Sequence, residues 1–240
     1  MRPLLAVLVV LIFAAIAVAA TASGTASKAP ADAVNVAPLA TADPANTART
    51  EVGHPMGSSP GQGRGISPVI RGLLIPIEDA EIPTAPELLP NSPREYRAGW
   101  HEGIDFPADR GTTVRAASSG TVVRVDRDFV DWDPAALDAA LEAAIALGYT
   151  PDDTLDRIRG RQVWIDHGRH VVTRYAHLDT VADLQVGESV TRGQVIGTVG
   201  SSGFEEGGPH LHFEIRVGDD YLGDWLDGDE LVRVITRAFD

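Results

Sequence analysis

Short β-type runs separated by glycine constrain this chain more than any other feature of its sequence. The segment VGESVTRGQVIGTVGSSG places glycines at Gly187, Gly193, Gly197, Gly200 and Gly203. Three further runs combine β-branched residues with closely spaced turn residues: TTVRAASSGTVVRVD, RQVWIDHG and HVVTRYAHL. Glycine at such intervals is typical of tight corners in a small sheet or a barrel-like sandwich. The sequence therefore predicts a mainly β fold built from small antiparallel sheets.

Two helical segments interrupt the β pattern, and a third closes the chain. Asp133 and Pro134 supply a cap and a first-turn proline for DPAALDAALEAAIALG. Thr150 and Pro151 are predicted to open TPDDTLDRIRG in the same way. We therefore expect a two-helix insertion at about residues 127–161 that packs on the β domain. The predicted apolar stripe of its first helix comprises Leu137, Leu141, Ala144 and Ile145. The C-terminal helix is predicted from the spacing of Leu231, Val234, Ile235 and Phe239.

Composition divides the 240-residue chain into three parts. Residues 1–22 combine one positive residue, a long apolar run and small residues, the pattern of a secretory signal peptide; an uncleaved membrane anchor is the alternative. Residues 23–68, rich in alanine, proline, threonine and glycine, are predicted to be a disordered linker. Residues 69–240 suit one globular domain. We therefore expect an exported protein, located in the periplasm, cell envelope or medium.

Charge and the lack of cysteine exclude several classes of partner and site. Residues 70–240 contain 31 acidic and 16 basic side chains, and the whole chain has a formal net charge of −14. An acidic domain argues against nucleic acid and against adsorption to anionic lipid. Membrane contact is expected only through an uncleaved N-terminal segment. Because the chain has no cysteine, a metal site must use histidine, aspartate or glutamate. The sequence does not predict an oligomeric state.

The segment GGPHLHFEI places two histidines on one face of a predicted strand. Because side chains alternate across a strand, His210, His212 and Glu214 share this face. The opposite face is apolar and is predicted to enter the core, with Leu211, Phe213 and Ile215. One strand therefore combines a core face with a face that carries metal-ligand side chains.

The segment WHEGIDFPADRG is predicted to be extended, because its glycine and proline disfavour a helix. His101, Gly103 and Asp105 then share a face, and the glycine leaves space between the two polar groups. Glu102 points away from His101 in this geometry. It is therefore not predicted to be a general base, the role of the glutamate in the helical H-E-x-x-H zinc motif.

Together, His101, Asp105 and one of His210 or His212 supply two imidazoles and one carboxylate. Three protein ligands with an open position is the arrangement of catalytic zinc, which lowers the pKa of a water toward about 7. The remaining imidazole can serve as a proton acceptor. The same donor set can hold non-haem iron in an oxygenase, and metal analysis separates the two. Spacing alone does not choose between His210 and His212 as the ligand.

Five motifs occur in order between about Gly99 and Val217: HEGIDF, GTTVRAASSGTV, YAHL, G-x-x-V-x-x-G-Q-V-I-G and GPHLHFE. This combination resembles the lysostaphin/LytM family of zinc metallo-endopeptidases. The resemblance implies a small antiparallel β structure, the duplicated hybrid motif fold, with a groove that holds one zinc ion per chain. It also implies a substrate in the peptide portion of bacterial peptidoglycan. The helical insertion and the loop SSGFEEGG depart from the family's pattern, which puts the substrate preference in doubt.

By position, the resemblance implies that His101, Asp105 and His212 bind zinc and that His177 and His210 are catalytic. His210 is the predicted general base, and His177 is the predicted donor to the oxyanion of the tetrahedral intermediate. The two could exchange roles. The family also includes non-catalytic relatives that have lost ligands and activate a cell-wall amidase. All five positions are filled here, which favours an active peptidase.

One further family and several other polar residues complete the sequence-based hypotheses. The glycine-rich motif also resembles biotinyl and lipoyl carrier domains, but those need a lysine for attachment. The only lysine in the chain is Lys28, in the predicted linker, so that reading is excluded. His167 and His170 are predicted to be structural, and Glu205 and Glu206 to lie in an exposed loop. Arg94 and Arg97 are predicted to be solvated, and contact with an anionic substrate group is the alternative.

Overall fold

A computed structural model describes residues 70–240. Its strands are β1 (Pro93–Arg94), β2 (Gly99–Trp100), β3 (Ile104–Pro107), β4 (Thr113–Arg115), β5 (Gly120–Val125), β6 (Val163–Asp166), β7 (Val171–Ala176), β8 (Leu178–Val181), β9 (Ser189–Val190), β10 (Val195–Val199), β11 (His210–Val217) and β12 (Asp220–Tyr221). Its α-helices are α1 (Pro134–Leu147), α2 (Asp152–Arg159) and α3 (Gly228–Ala238). Short 3₁₀ turns occur at Pro86–Leu88, Glu95–Arg97 and Glu205–Gly207. The predicted signal peptide and linker lie outside the described residues. Within the described residues, no helix combines the length and apolarity that a membrane span requires.

The strands pair in three antiparallel sheets within residues 70–240. The largest follows the order β12-β11-β7-β6-β5-β9, and β3 also pairs with β11. A second sheet has the order β4-β10-β8, and β1 pairs with β2. None of these sheets closes into a barrel in this part of the chain. The prediction of a mainly β, antiparallel fold with an inserted helix pair and a C-terminal helix is confirmed.

Strand β11 positions the site because it has neighbours on both edges. On one edge it pairs with β3, which sets His212 directly opposite Asp105. On the other edge it pairs with β7, which sets Glu214 opposite Arg174. The register of these two pairings therefore gathers histidines, carboxylates and an arginine on one face of the sheet.

The opposite face of β11 is in the core, as its alternation predicts. Leu211 and Phe213 are fully buried and Ile215 is 3% exposed. The Phe213 ring lies 6.3 Å from Phe106 of β3 and 5.2 Å from Tyr175 of β7. Buried residues of α3 belong to the same cluster: Leu231, Ile235 and Ala238. Truncating such a buried phenylalanine to alanine typically costs about 3–5 kcal/mol, so this core holds the strand that carries the site.

Helix α1 follows its predicted caps, but its predicted apolar stripe is partly wrong. The Asp133 side chain accepts a hydrogen bond from the backbone of Ala135 at 3.1 Å, and Gly148 ends the helix with a φ of 78°. Leu137 and Ala144 are buried, as predicted. Ile145 is 53% exposed, because α1 packs on one side, against the turn that precedes β2.

Helix α2 begins at Asp152, and its predicted cap is wrong. Pro151 occupies the cap position without a side-chain hydrogen bond. The Thr150 hydroxyl instead donates to the carbonyl of Arg97 at 2.5 Å and accepts from the Arg97 guanidinium at 3.0 Å. Arg97 is only 5% exposed, so the expectation that it is solvated is also wrong. This contact ties the insertion to the segment that leads into the site.

Candidate metal centre

The structure brings the side chains of His101, Asp105 and His212 together. Nε2 of His101 lies 2.9 Å from Oδ1 of Asp105 and 3.0 Å from Nδ1 of His212. Nδ1 of His212 lies 2.9 Å from the same carboxylate oxygen. All three residues are buried. In residues 70–240 this is the one group of three or more histidine or acidic side chains whose ligand atoms could share a metal ion.

Hydrogen bonds on the far side of each ring select the nitrogen that faces the cluster. Nδ1 of His101 donates to the carbonyl of Leu89 at 2.8 Å, since a carbonyl can only accept. Nε2 of His212 donates to the Glu214 carboxylate at 3.1 Å. The other ring nitrogen of each histidine therefore faces the Asp105 carboxylate. Two imidazole nitrogens and one carboxylate oxygen thus converge as three acceptors. Acceptor atoms this close together repel one another unless a cation binds between them. The donor set therefore fits zinc.

The electrostatics of the cluster agree with that fit. Burial lowers the pKa of His101 to about 4, so this ring is neutral at pH 7, the form that binds metal. Burial opposes ionisation of Asp105, but His101 and His212 hold its pKa well below its usual range. Burial disfavours protonated His212, yet hydrogen bonds to Asp105 and Glu214 raise its pKa. The metal-free cluster thus stabilises a proton at the place that a metal cation would take.

Gly103 has the spacing role that the sequence predicts. A Cβ at this position would lie 2.6 Å from the carbonyl oxygen of Phe213 and 3.0 Å from Cε1 of His212. Both distances are closer than ordinary van der Waals contact, so a larger residue would displace the ligand strand or the His212 ring.

Arg94 is not solvated, contrary to expectation. The β1–β2 pairing sets it beside the cluster, where Nη2 donates to Oδ2 of Asp105 and to the carbonyl of Glu87, both at 3.0 Å. Nη1 donates to the Ser92 hydroxyl at 3.0 Å. Arg94 therefore engages one oxygen of Asp105 and leaves the other, Oδ1, for the two histidines.

His177 and His210 lie beside the cluster and face each other, with ring centroids 4.7 Å apart. Nδ1 of His177 donates to the carbonyl of Ser202, and Nδ1 of His210 donates to the carbonyl of Gly208, each at 2.9 Å. Because Nδ1–H is donated in each ring, Nε2 is the nitrogen that is left to accept a proton. The His177 ring also lies 5.8 Å from the His212 ring, so the pair borders the candidate metal ligands.

The environment of His177 bears on the role that the sequence resemblance implies for it. Its backbone is left-handed, with a φ of 58°, which is uncommon for a residue other than glycine. Burial lowers the pKa of His177 to about 3, so the ring is neutral. With Nδ1–H donated to Ser202, Nε2 has no hydrogen to give. The predicted donor role therefore requires a proton first transferred to His177.

A cavity of about 290 Å³ opens onto the five residues His101, Asp105, His177, His210 and His212. Its apolar lining comes from four parts of the chain: Leu88 and Tyr96; Pro107 of β3; Leu155 and Ile158 of α2; and Phe204 and Pro209. Tyr96 and Phe204 stack with centroids 5.0 Å apart. The helical insertion therefore supplies part of the cavity wall. A wider groove of about 520 Å³ borders Asp156 and Arg157 of α2, and no histidine lines it.

A buried ionic cluster underlies the His212 side of the site, and the sequence-based analysis did not predict it. It contains two carboxylates and three guanidinium groups: Glu102, Glu214, Arg159, Arg174 and Arg216. Glu214 is fully buried, and although burial opposes its ionisation, Arg159 and the hydrogen bond from His212 hold its pKa well below the usual range. Strand alternation could have placed Arg216 on the face of Glu214, but no local signal points to Arg159.

The chain matches one family model and several curated proteins over part of its length. Residues 140–223 match the family model described as Peptidase family M23. The chain is 35% identical over 117 residues to the DD-carboxypeptidase/endopeptidase Mpg of Neisseria meningitidis, covering 49% of this chain and 20% of the relative. It is 30% identical over 117 residues to the peptidoglycan DD-endopeptidase ShyC of Vibrio cholerae, with the same shares. The chain therefore spans about a fifth of the length of these curated relatives.

Among solved structures, the catalytic domain of lysostaphin from Staphylococcus simulans is 27% identical, covering 49% of this chain and 69% of that one, with a TM-score of 0.34. The family resemblance seen in the sequence is confirmed by the family match, in which residues 140–223 match the model of peptidase family M23.

Proposed function

We propose that this chain is an exported zinc metallo-endopeptidase that hydrolyses peptide bonds in bacterial peptidoglycan. The observation that carries the proposal is the convergence of three acceptor atoms, from His101, Asp105 and His212, beside two further imidazoles in a cavity. A bound zinc ion would supply Lewis acidity, which lowers the pKa of water and polarises a carbonyl. The metallopeptidase family match supports the same chemistry.

In this proposal, the protein's own groups divide the remaining work. His210 accepts the proton of the attacking water on Nε2, because its Nδ1–H is held by the carbonyl of Gly208. His177 is held beside His210 by a hydrogen bond to Ser202. Once it has received that proton, His177 can donate it to the oxyanion or to the leaving amine. The low pKa of His177 makes its ring a poor proton acceptor, which supports His210 as the first acceptor.

The substrate class rests on the relatives' names and on the shape of the cavity. ShyC is named a peptidoglycan DD-endopeptidase, and Mpg is named a DD-carboxypeptidase/endopeptidase. The cavity is lined by both polar and apolar side chains, which suits a peptide. We therefore propose stem peptides or their cross-links as the substrate.

Digestion of defined muropeptides tests the proposal. The purified chain is incubated with monomeric and cross-linked muropeptides, with added zinc or with a chelator, and the products are identified by mass. We expect cleavage that chelation abolishes and zinc restores, and cleavage of cross-linked dimers would mark an endopeptidase. Zinc-loaded protein that leaves every muropeptide intact would refute the peptidase proposal. That outcome would favour a regulator of a cell-wall amidase, for which no structural observation speaks at present.

Export is part of the proposal and rests on residues 1–22 alone. We propose cleavage near Ala19 or Ala22, which would leave the catalytic domain on a tether formed by residues 23–68. N-terminal sequencing of the protein made by its own host measures this directly. Retention of Met1 in the membrane fraction would instead show an anchored enzyme.

A further inference from the structure

The orientation of His212 depends on a carboxylate that is itself buried. Nδ1 of His212 faces the candidate metal cluster, while Nε2 donates to Oε1 of Glu214 at 3.1 Å. A partner of this kind sets the tautomer and the ring orientation of a metal-ligating histidine. Glu214 has no exposed surface, so its charge needs protein partners to remain in place.

Arg159 is the closest of the cations that hold Glu214. Its Nε donates to Oε1 of Glu214 at 2.7 Å, the same oxygen that receives His212. Arg174 and Arg216 contact the other oxygen, Oε2, at 3.3 Å and 3.5 Å. Arg159 therefore acts on the carboxylate oxygen that orients the ring, whereas the other two act on its neighbour.

Arg159 also reaches two other parts of the site. Its Nη2 donates to the carboxylate of Glu102, the residue that follows His101. Its carbonyl accepts a hydrogen bond from the backbone N–H of His177 at 2.9 Å. One residue thus contacts Glu214, Glu102 and the backbone of His177. It is the last residue of α2, so these contacts come from the helical insertion.

We propose that Arg159 is a positioning residue that holds His212 in its metal-binding orientation through Glu214, so that the insertion serves the metal centre as well as the cavity wall. This inference rests on the proposed metal site. It does not require that the bound substrate be peptidoglycan. The planar guanidinium is suited to the role because its fork serves two carboxylates at once.

The test compares zinc affinity in full-length R159Q, R159K and wild type by chelator competition, with R157Q as the matched control. Arg157 lies on the same helix but stacks over Trp132, 3.9 Å from its ring centroid. We expect R159Q to bind zinc about 10–100-fold more weakly, the range for groups that orient metal ligands. R159K should fall in between, because it keeps the charge but cannot serve both carboxylates. R157Q should bind zinc with an affinity within about 2-fold of wild type, a much smaller change than the loss of about 10–100-fold expected for R159Q.

A spectroscopic measurement separates positioning from general stability. With Co²⁺ in place of zinc, R159Q should show a changed visible absorption spectrum, since the geometry of His212 changes, and R157Q should not. Folding of each variant is checked by circular dichroism. Wild-type affinity in either folded Arg159 variant, or an equal loss in R157Q, would overturn the inference. Wild-type protein that binds zinc without cleaving muropeptides would refute only the proposed peptidase function.

Discussion

The two sides of the cavity are built by different means. The floor, defined here as β3 and β11 with the segment that carries His101, presents its polar groups through strand alternation and register. The wall, defined as helix α2 with Leu155, Ile158 and Arg159, reaches the cavity from an insertion. The floor carries the candidate metal ligands, and the wall supplies apolar side chains and one buried cation.

We therefore expect metal binding and peptide selectivity to depend on different residues, with one exception. Substitutions on the floor should remove metal or rate. Substitutions of the apolar wall residues should change only which peptides are preferred. Arg159 is the exception, because it belongs to the wall and contacts the carboxylate that orients His212 on the floor.

Removal of a floor ligand should have the largest effect. His101→Ala or Asp105→Ala removes one of three converging acceptors, so we expect loss of zinc retention and of cleavage. The loss should exceed the roughly 100-fold that outer groups contribute. Metal content after dialysis and muropeptide turnover are the measurements, with the exposed His170→Asn as control. Full zinc stoichiometry in either variant would show that the replaced residue is not a metal ligand.

The two histidines beside the ligands should separate rate from metal. Asparagine is the informative replacement, because its amide can keep the hydrogen bond to Ser202 or Gly208 and tolerates the left-handed backbone at His177. We expect His177→Asn and His210→Asn to retain zinc and to lose about 10²–10⁴-fold in turnover. Single-turnover assays on zinc-loaded protein measure this. Near-normal turnover in both variants would show that cleavage requires neither His177 nor His210.

The buried histidines should make the metal-free protein sensitive to acid. Burial lowers the pKa of His101 to about 4 and that of His177 to about 3, from 6.5. As pH falls below 6.5, the unfolded chain takes up protons that the folded protein refuses, so stability falls from pH 6.5 toward about pH 4. Each such group contributes a slope of about 1.4 kcal/mol per pH unit.

Urea unfolding with a chelator, between pH 7 and pH 5, measures that slope. His177→Asn should be less acid-sensitive than wild type by up to one proton's contribution, about 1.4 kcal/mol per pH unit. An unchanged slope in this variant would show that His177 is not kept neutral by burial. The exposed His170→Asn again serves as the control.

The apolar wall should have the smallest effect, and one confined to selectivity. Leu155→Ala enlarges the cavity on the α2 side, so we expect the relative cleavage rates of different muropeptides to change by about 10-fold, the lower end of the effect of a small change in an apolar pocket. Zinc affinity should stay at the wild-type value. Competition assays with mixed muropeptides measure the ratios, and Ile145→Ala on the exposed face of α1 is the control. Identical ratios in Leu155→Ala would show that this wall does not contact substrate.

The sequence by itself predicted the elements and most of the candidate site. Proline, aspartate and glycine at its ends predicted helix α1, and alternation predicted both faces of β11. These signals succeed because they act over a few neighbouring residues. The cap of α2 failed for the opposite reason: Thr150 bonds with Arg97, 53 residues away, instead of with its own helix.

Only the tertiary structure decided which residues meet. Alternation put His210 and His212 on one face, and the register of β3 against β11 set His212 opposite Asp105 and His210 opposite Pro107. Likewise, the sequence predicted that Arg94 and Arg97 are solvated. In the structure, the β1–β2 pairing and the insertion enclose them. Arg159 reaches Glu214 across 55 residues of sequence. Contacts at such separations depend on how the elements pack, and no local preference of the residues involved encodes that packing.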